Sequence, residues 1–313
     1  MGTITVDNRM TFTDVDTPVS LVWRDIGGAW TLTYTISAET INPRTGVAYI
    51  ESELINLFDS QLGYNVSHIA QGVKWAGFIG EMEFIAGGKI GVSYRRTLLG
   101  TASDAINRKP CFTNRVQVAY KDGNGDQALT AWSDEESQRR LYGIKEARIE
   151  DGWQRRDQTA AERLRNFVLA DIGTPRRFPI GIARTETAEL TITVCGYVFL
   201  FARRVVEAEI AGTTTSVISS LIDLIDDLEV GGLTINTTNF VAEVGQTVWE
   251  ALREAVSQTD EYGRRYTLQV HDGKVYYRPQ PISPTYIITR DCITTNGSTL
   301  VDPHAVLPAV YRD

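Results

Sequence analysis

Two glutamates, Glu81 and Glu83, stand two residues apart in "VKWAGFIGEMEFIAGGKI", residues 73–90. Side chains alternate across a β-strand, so a strand here puts both carboxylates on one face. Paired carboxylates are what glycoside hydrolysis uses, set about 5 to 9 Å apart across a cleft with further polar and aromatic groups. The competing reading is a solvated strand face lying opposite Trp75 and Phe78. A second acidic stretch, "DGNGDQALTAWS" from Asp122, begins like a calcium loop with Asp122, Asn124 and Asp126 at positions 1, 3 and 5. Such a loop requires Gly at position 6 and Glu at position 12, where this chain has Gln127 and Ser133. A polar hairpin turn after "RVQVAY" is therefore expected, and no metal site is assigned.

The remaining chemistry-bearing residues are dispersed. Three histidines, His68, His271 and His304, lie outside any HExxH frame, and His271 reads as a residue at the mouth of a hairpin. No GxSxG elbow, phosphate-binding GxxxxGK[ST] loop or GxGxxG turn is present. Cys111, Cys195 and Cys292 have no CxxC spacing, so they read as reduced, mostly buried small hydrophobes. Trp132 and Trp153 are the aromatic residues that a carbohydrate-binding surface would use. No catalytic, cofactor-binding or metal-ligating residue is assigned, and the chain is not expected to be an enzyme.

Charge bounds the partners. The 313 residues carry a formal net charge of −8, which argues against a general nucleic-acid coat, since such a protein needs surplus Lys and Arg to neutralise phosphates. Arginine pairs at 95/96, 139/140, 155/156, 176/177, 203/204 and 264/265 read as solvated faces or ion-pair partners at subunit contacts. No run of 18 apolar residues exists, so no transmembrane segment is expected, and "MGTITVDNRMTF" lacks the pattern of a secretory signal.

The elements that must position these residues are mostly strands. "SLVWRDI", "AWTLTYTI", "VKWAGFIGEMEF", "KIGVSYRRTLL" and "RVQVAYKD" are rich in β-formers and broken by Gly, Asn and Pro. Gly77 and Gly80 mark bends or close backbone approaches. Residues 51–60 read as a short helix. Ser133 with Glu136, and Thr159 with Glu162, form capping-box patterns that open two more helices, the second presenting Ala160, Leu164, Phe167 and Val168 on one face. "AELTITVCGYVFLF" reads as strand. Ile218, Leu221, Ile222, Ile225 and Leu228 predict a helix that stops at a double glycine. Thr247 with Glu250 caps another, burying Trp249, Leu252 and Val256, and Asp272-Gly273 joins two alternating strands in a hairpin. The composition suits two or three domains, with a β-barrel or sandwich over 1–125, a helix-containing insertion over 126–180, and a second barrel-like domain with two helices and a hairpin over 181–313. The fold class is mainly β with inserted helices, α+β.

Taken in order, these blocks resemble the tail hub (baseplate hub or tail-tip) proteins of tailed bacteriophages, chiefly those with long non-contractile tails. "LFDSQLGYNV" followed by "VKWAGFIGEMEF" is similar to a run in which a Leu-Gly turn precedes a Trp-x-Gly-Phe strand. "NRVQVAYKDGNGDQALTAWSDEESQRRLYGIKEARI" resembles the next block, "TAAERLRNFVLADIGTPRR" its helix, and "ELTITVCGYVFLFARRVV" a strand ending Cys-Gly-Tyr. "VGQTVWEALREAVSQTDEYGRRYTLQVHDGKVYYRP" resembles the closing helix and hairpin. The likeness spans about residues 45–280, and the colinear order carries it.

The resemblance implies tail-tube-like β-barrel domains decorated by a helical segment, with copies joined in a ring, usually a homotrimer, that closes or continues the tail tube. Implied partners are the distal tail protein, the C-terminal end of the tape-measure protein, and receptor-binding, spike or fibre proteins. DNA would pass transiently through the channel without stable binding, and the protein would sit at the virion's tail tip after assembly in the host cytoplasm. Many hubs carry further domains, such as peptidoglycan hydrolases, that are not expected in this chain. The alternatives are a carbohydrate- or receptor-binding β-protein of a virion and, behind it, a glycoside hydrolase centred on Glu81 and Glu83.

Overall fold

The computed structural model describes residues 2–7, 10–13, 20–24, 27–70, 73–100, 112–155, 157–271, 273–280, 294–296 and 299–301. The chain is mainly β with helices set between the strands, as an α+β class requires. Its principal sheet has twelve strands. These are β1 (Gly2–Val6), β2 (Met10–Thr13), β3 (Ser20–Arg24), β4 (Gly27–Ser37), β5 (Asn65–Ala70), β6 (Val73–Ile85) and β7 (Gly88–Thr97), followed later in the chain by β12 (Phe178–Thr185), β13 (Glu189–Gly196), β15 (Glu229–Leu233), β17 (Tyr266–His271) and β18 (Lys274–Pro279). Strands from the segments 1–125 and 181–313 thus meet in a single sheet. Among the described residues no sheet closes into a barrel.

The long strand β6 organises this sheet. One edge pairs with β13 along Gly77–Ile85; the other pairs first with β5 and then, from Glu81, with β7. The change of partner falls at Gly80, the extra residue of a bulge opposite Thr193 and Val194. On one face, alternation buries Leu32, Tyr34 and Ile36 of β4, Leu190, Ile192 and Val194 of β13, and Met82 and Phe84 of β6. The helix α1 (Glu51–Ser60) covers that face with Leu54 and Phe58, one turn apart and both buried. This helix coincides with the stretch predicted from sequence.

A smaller sheet forms from β8 (Arg115–Lys121), β9 (Gln127–Leu129), β10 (Ser133–Asp134) and β11 (Glu146–Arg155), with β8 at its centre and β11 parallel to it. Two helices accompany it, α2 (Glu136–Tyr142) and α3 (Gln158–Ile172). Neither capping box predicted here forms. Ser133 and Asp134 pair with Val116 and Arg115 in the ladder instead, so α2 begins later, and its C-cap is Gly143. The α3 cap is Asp157, whose side chain accepts from the Ala160 amide at 2.6 Å. The helix starts two residues earlier than expected; Ala161 and Ile172 are buried, Leu164 packs beside the small-sheet core, and Phe167 is left 72% exposed.

Strand β13 ends at Gly196, and the expected continuation is a 3-10 helix, Tyr197–Arg203. Then come β14 (Ile210–Thr213), α4 (Thr214–Ile222), β16 (Asn239–Ala242) and α5 (Val248–Ser257), of which β14 and β16 pair with each other. The helix predicted to run to Leu228 stops at Ile222. Ile225 and Leu228 stay buried in the turns that follow, so the apolar pattern outlasts the helix, and Gly231 and Gly232 belong to β15. The Thr247 box is as predicted: its hydroxyl accepts from the Glu250 amide, and the Glu250 carboxylate accepts from the Thr247 amide. Trp249 of α5 stacks on Phe201 of the 3-10 segment, 9° from parallel, and joins this region to the main core. The β17–β18 hairpin turns at Gly273, φ 77°, with Asp272 outside the described residues. Among the described residues, strands β19 (Thr294–Asn296) and β20 (Thr299–Val301) pair with each other in a separate two-stranded sheet. No described helix is long and apolar enough to cross a membrane.

Candidate functional site

Opposite the buried face of the large sheet, the alternate residues of β4, β13, β6 and β7 line up in three cross-strand rows. The first row is Thr33, Thr193, Glu81 and Thr97; the second is Thr35, Thr191, Glu83 and Arg95; the third is Ser37, Glu189, Ile85 and Ser93. Threonine suits a pleated surface through its β-branch while presenting a hydroxyl. The hydroxyls of Thr35 and Thr191 lie 3.1 Å apart and those of Thr33 and Thr193 3.5 Å apart. Cross-strand pairs of this kind each stabilise a sheet by about 0.2–1 kcal/mol.

The two glutamates singled out by sequence lie in adjacent rows and share one partner. Arg95 Nη2 donates to Glu83 Oε2 at 3.3 Å, and its Nε lies 3.5 Å from Glu81 Oε1. All three side chains are between 26% and 35% exposed, so these are partly solvated ion pairs, each worth at most about 1 kcal/mol. The rows hold three carboxylates, Glu81, Glu83 and Glu189, and one guanidinium, Arg95. The face therefore offers the threonine hydroxyls of β4 and β13 and net negative charge, while Ser93 and Thr97 of β7 are buried, the latter donating to the Gly80 carbonyl. The Thr-x-Thr alternation in "TLTYTI" and "ELTITV" was its visible signal; that the two stretches adjoin was not.

The other sequence candidates scatter. Asp122 Oδ1 accepts from the Asn124 and Asp126 amides at 2.8 and 3.0 Å, tying off the β8–β9 hairpin turn. No group of three metal-ligating side chains occurs among the described residues. Trp132 is half-buried under the Arg115 guanidinium, 5.0 Å from its ring centre. His68 is buried on β5, and His271 Nε2 lies 3.3 Å from Gln269 Oε1. Cys195 is a buried free thiol, pushed up to about 12 by burial. Cys111, Cys292, His304 and the side chain of Trp153 lie outside the described residues.

Most of the described arginine pairs are held inside the chain. Arg96 donates to the Phe58 and Asp59 carbonyls at the end of α1, Arg177 pairs with Asp59, Arg176 with Asp171, and Arg264 with Asp260. Arg115 and Arg204 converge on Glu146, whose side chain is 1% exposed. Arg203 stacks on Phe78, donates to the Tyr142 carbonyl and forms no ion pair among the described residues. Set beside known proteins, the chain matches no protein-family model and no curated protein.

Proposed function

We propose that this chain is a structural subunit of a phage tail tip or baseplate, a hub in which copies form a ring that closes or continues the tail tube. The observation that carries the reading is the threonine and glutamate face of the large sheet. Turned toward a channel, it gives passing DNA hydroxyls and carboxylates and almost no cation to hold a phosphate. Neighbouring copies complete the tube wall, each supplying an open sheet that becomes barrel-like only in the ring. The edge strand β12 and its partner β7 carry exposed apolar residues suited to such contacts, Ile182 at 75% and Val92 at 40%. Phe167 on α3 and Leu141 on α2 offer further apolar contact points on the helical segment. Contacts of this kind are heterologous and close on themselves. Distal tail, tape-measure and receptor-binding or spike proteins are the partners of the assembled ring.

Electron microscopy of the purified chain, or of the particle that carries it, tests this. The expected image is a closed ring at the tail tip with Glu81, Glu83 and Glu189 on the channel wall. A monomer at all concentrations that binds glycan would replace the reading with a carbohydrate-binding one, and a channel lined mainly by Lys and Arg would sink it.

A further inference from the structure

A cavity of about 540 Å³ opens where the 3-10 segment, α2 and the first half of β6 meet. Its exposed surface is mostly polar, backed by the buried side chains of Phe78, Leu98 and Leu200. Into it projects Arg203, whose guanidinium carbon lies 4.3 Å from the centre of the Phe78 ring. Nη1 donates to the Tyr142 carbonyl at 2.9 Å, one bond for a group with five N–H donors. The other two arginines on the wall are engaged, Arg139 with Asp134 and Arg140 with Glu136. Among the described residues Asp227 is the one acid on the wall, near enough to attract Arg203 but not within ion-pair distance. In a chain that is acidic at −8, Arg203 is the cation on this wall that no carboxylate among the described residues pairs with.

We propose that this cavity binds a carboxylate carried on an aromatic or apolar body, with Arg203 as its anion partner and Phe78, Leu98 and Leu200 around the body. A half-buried guanidinium held off its nearest carboxylate is costly, and a carboxylate that takes its free N–H groups in a fork offsets that cost. Burial lowers the Arg203 pKa to about 10, still well above neutrality, so the cation is present at pH 7. One unpaired cation beside Asp227 favours a monoanion over a phosphate dianion. The volume suits a small ligand or the terminal residue of a peptide. The inference does not depend on ring assembly.

Calorimetric titration of the full chain with 3-phenylpropionate tests it, with 3-phenylpropanol as the uncharged counterpart and phenyl phosphate as the dianion. The acid is expected to bind at least about tenfold more tightly than the alcohol, the effect of one charge-assisted bidentate contact. Arg203→Met removes the preference, and Asp227→Asn tightens the acid by about threefold or more. Equal binding of acid and alcohol, tighter binding of phenyl phosphate, or an affinity unmoved by Asp227→Asn each overturns the proposal. The last holds even where Arg203→Met fails to fold. N-acetyl-glycyl-phenylalanine then separates the sources: tighter binding than 3-phenylpropionate assigns a chain terminus, and weaker binding a free small molecule.

Discussion

Gly80 lies so close to Cys195 that a β-carbon built on it would sit 2.4 Å from the Cys195 sulfur. The neighbouring Gly77 is tighter still, its added β-carbon 2.1 Å from the Cys195 carbonyl oxygen. The two clashes differ in what must yield: a side chain at Gly80, a backbone at Gly77. Both glycines let β13 press against β6 through the bulge, which sets the register of the threonine and glutamate rows.

Gly77→Ala is therefore expected to cost about 3 kcal/mol or more in urea unfolding, and Gly80→Ala about 1–3 kcal/mol. Adding Cys195→Ala should recover at least half of the Gly80→Ala loss and none of the Gly77→Ala loss. Gly181→Ala, where an added β-carbon meets nothing within 4 Å, should stay within about 0.5 kcal/mol of wild type. Equal losses at positions 77 and 80, both insensitive to residue 195, would contradict the contact described.

The Thr247 cap gives a second, local test. Its hydroxyl accepts from the Glu250 amide at 3.2 Å and Glu250 returns a bond to the Thr247 amide at 2.8 Å. Thr247→Ala should cost about 1 kcal/mol, and Thr247→Ser should keep most of it. Because α5 buries Leu252 and Val256 against the main core, the loss should appear in the global unfolding transition instead of as fraying of one helix.

What the sequence made legible follows the range of the interactions. The α1 helix, the Thr247 box and the β17–β18 hairpin rest on residues within a few positions of each other, and they stand where sequence reasoning puts them. Ser133 satisfies the same local pattern as Thr247, yet it becomes strand because Val116, far back in the chain, supplies a ladder partner. The stop of α4 at Ile222 escapes detection because Ile225 and Leu228 remain buried without being helical. Glu81 and Glu83 were visible as a same-face pair, but Arg95 and the threonines of β13 enter only through strand neighbours that one sequence does not reveal. Arg203 belonged to one of six arginine pairs, and its cavity is assembled from segments far apart in the chain.

Glu146 ties the small sheet to the rest of the molecule. Its side chain is 1% exposed, takes Arg115 Nη1 at 2.6 Å, lies 3.8 Å from Arg204 Nε and accepts from the Val205 amide at 2.9 Å. Removing the carboxylate takes away the ion-pair partner of Arg204 and leaves a buried amide unpaired, while Arg115 keeps Asp134 at 3.2 Å and Glu207 at 3.6 Å. Glu146→Ala is expected to cost about 3–5 kcal/mol, and the milder Glu146→Gln less, since it keeps an acceptor for Val205. Hydrogen exchange should show the loss concentrated in β8 and β11 if the small sheet detaches first. Uniform acceleration across the large sheet would show that the two sheets unfold as one unit.

His68 supplies a pH dependence whose sign can be worked out. Burial lowers its pKa below the usual 6.5, and a backbone hydrogen bond at Thr3 opposes that only in part. The folded chain thus holds this imidazole neutral where the unfolded chain would already take up a proton. Stability from this site is complete above about pH 6.5 and declines as the pH falls below it, because the unfolded state then binds more protons. Unfolding followed in urea between pH 8 and pH 5 should show the midpoint falling on the acid side. In His68→Gln, a neutral replacement of similar reach, the fall should be shallower even if the variant is less stable throughout. An unchanged slope would mean that the acid sensitivity comes from carboxylates elsewhere and that His68 charges freely in the folded chain.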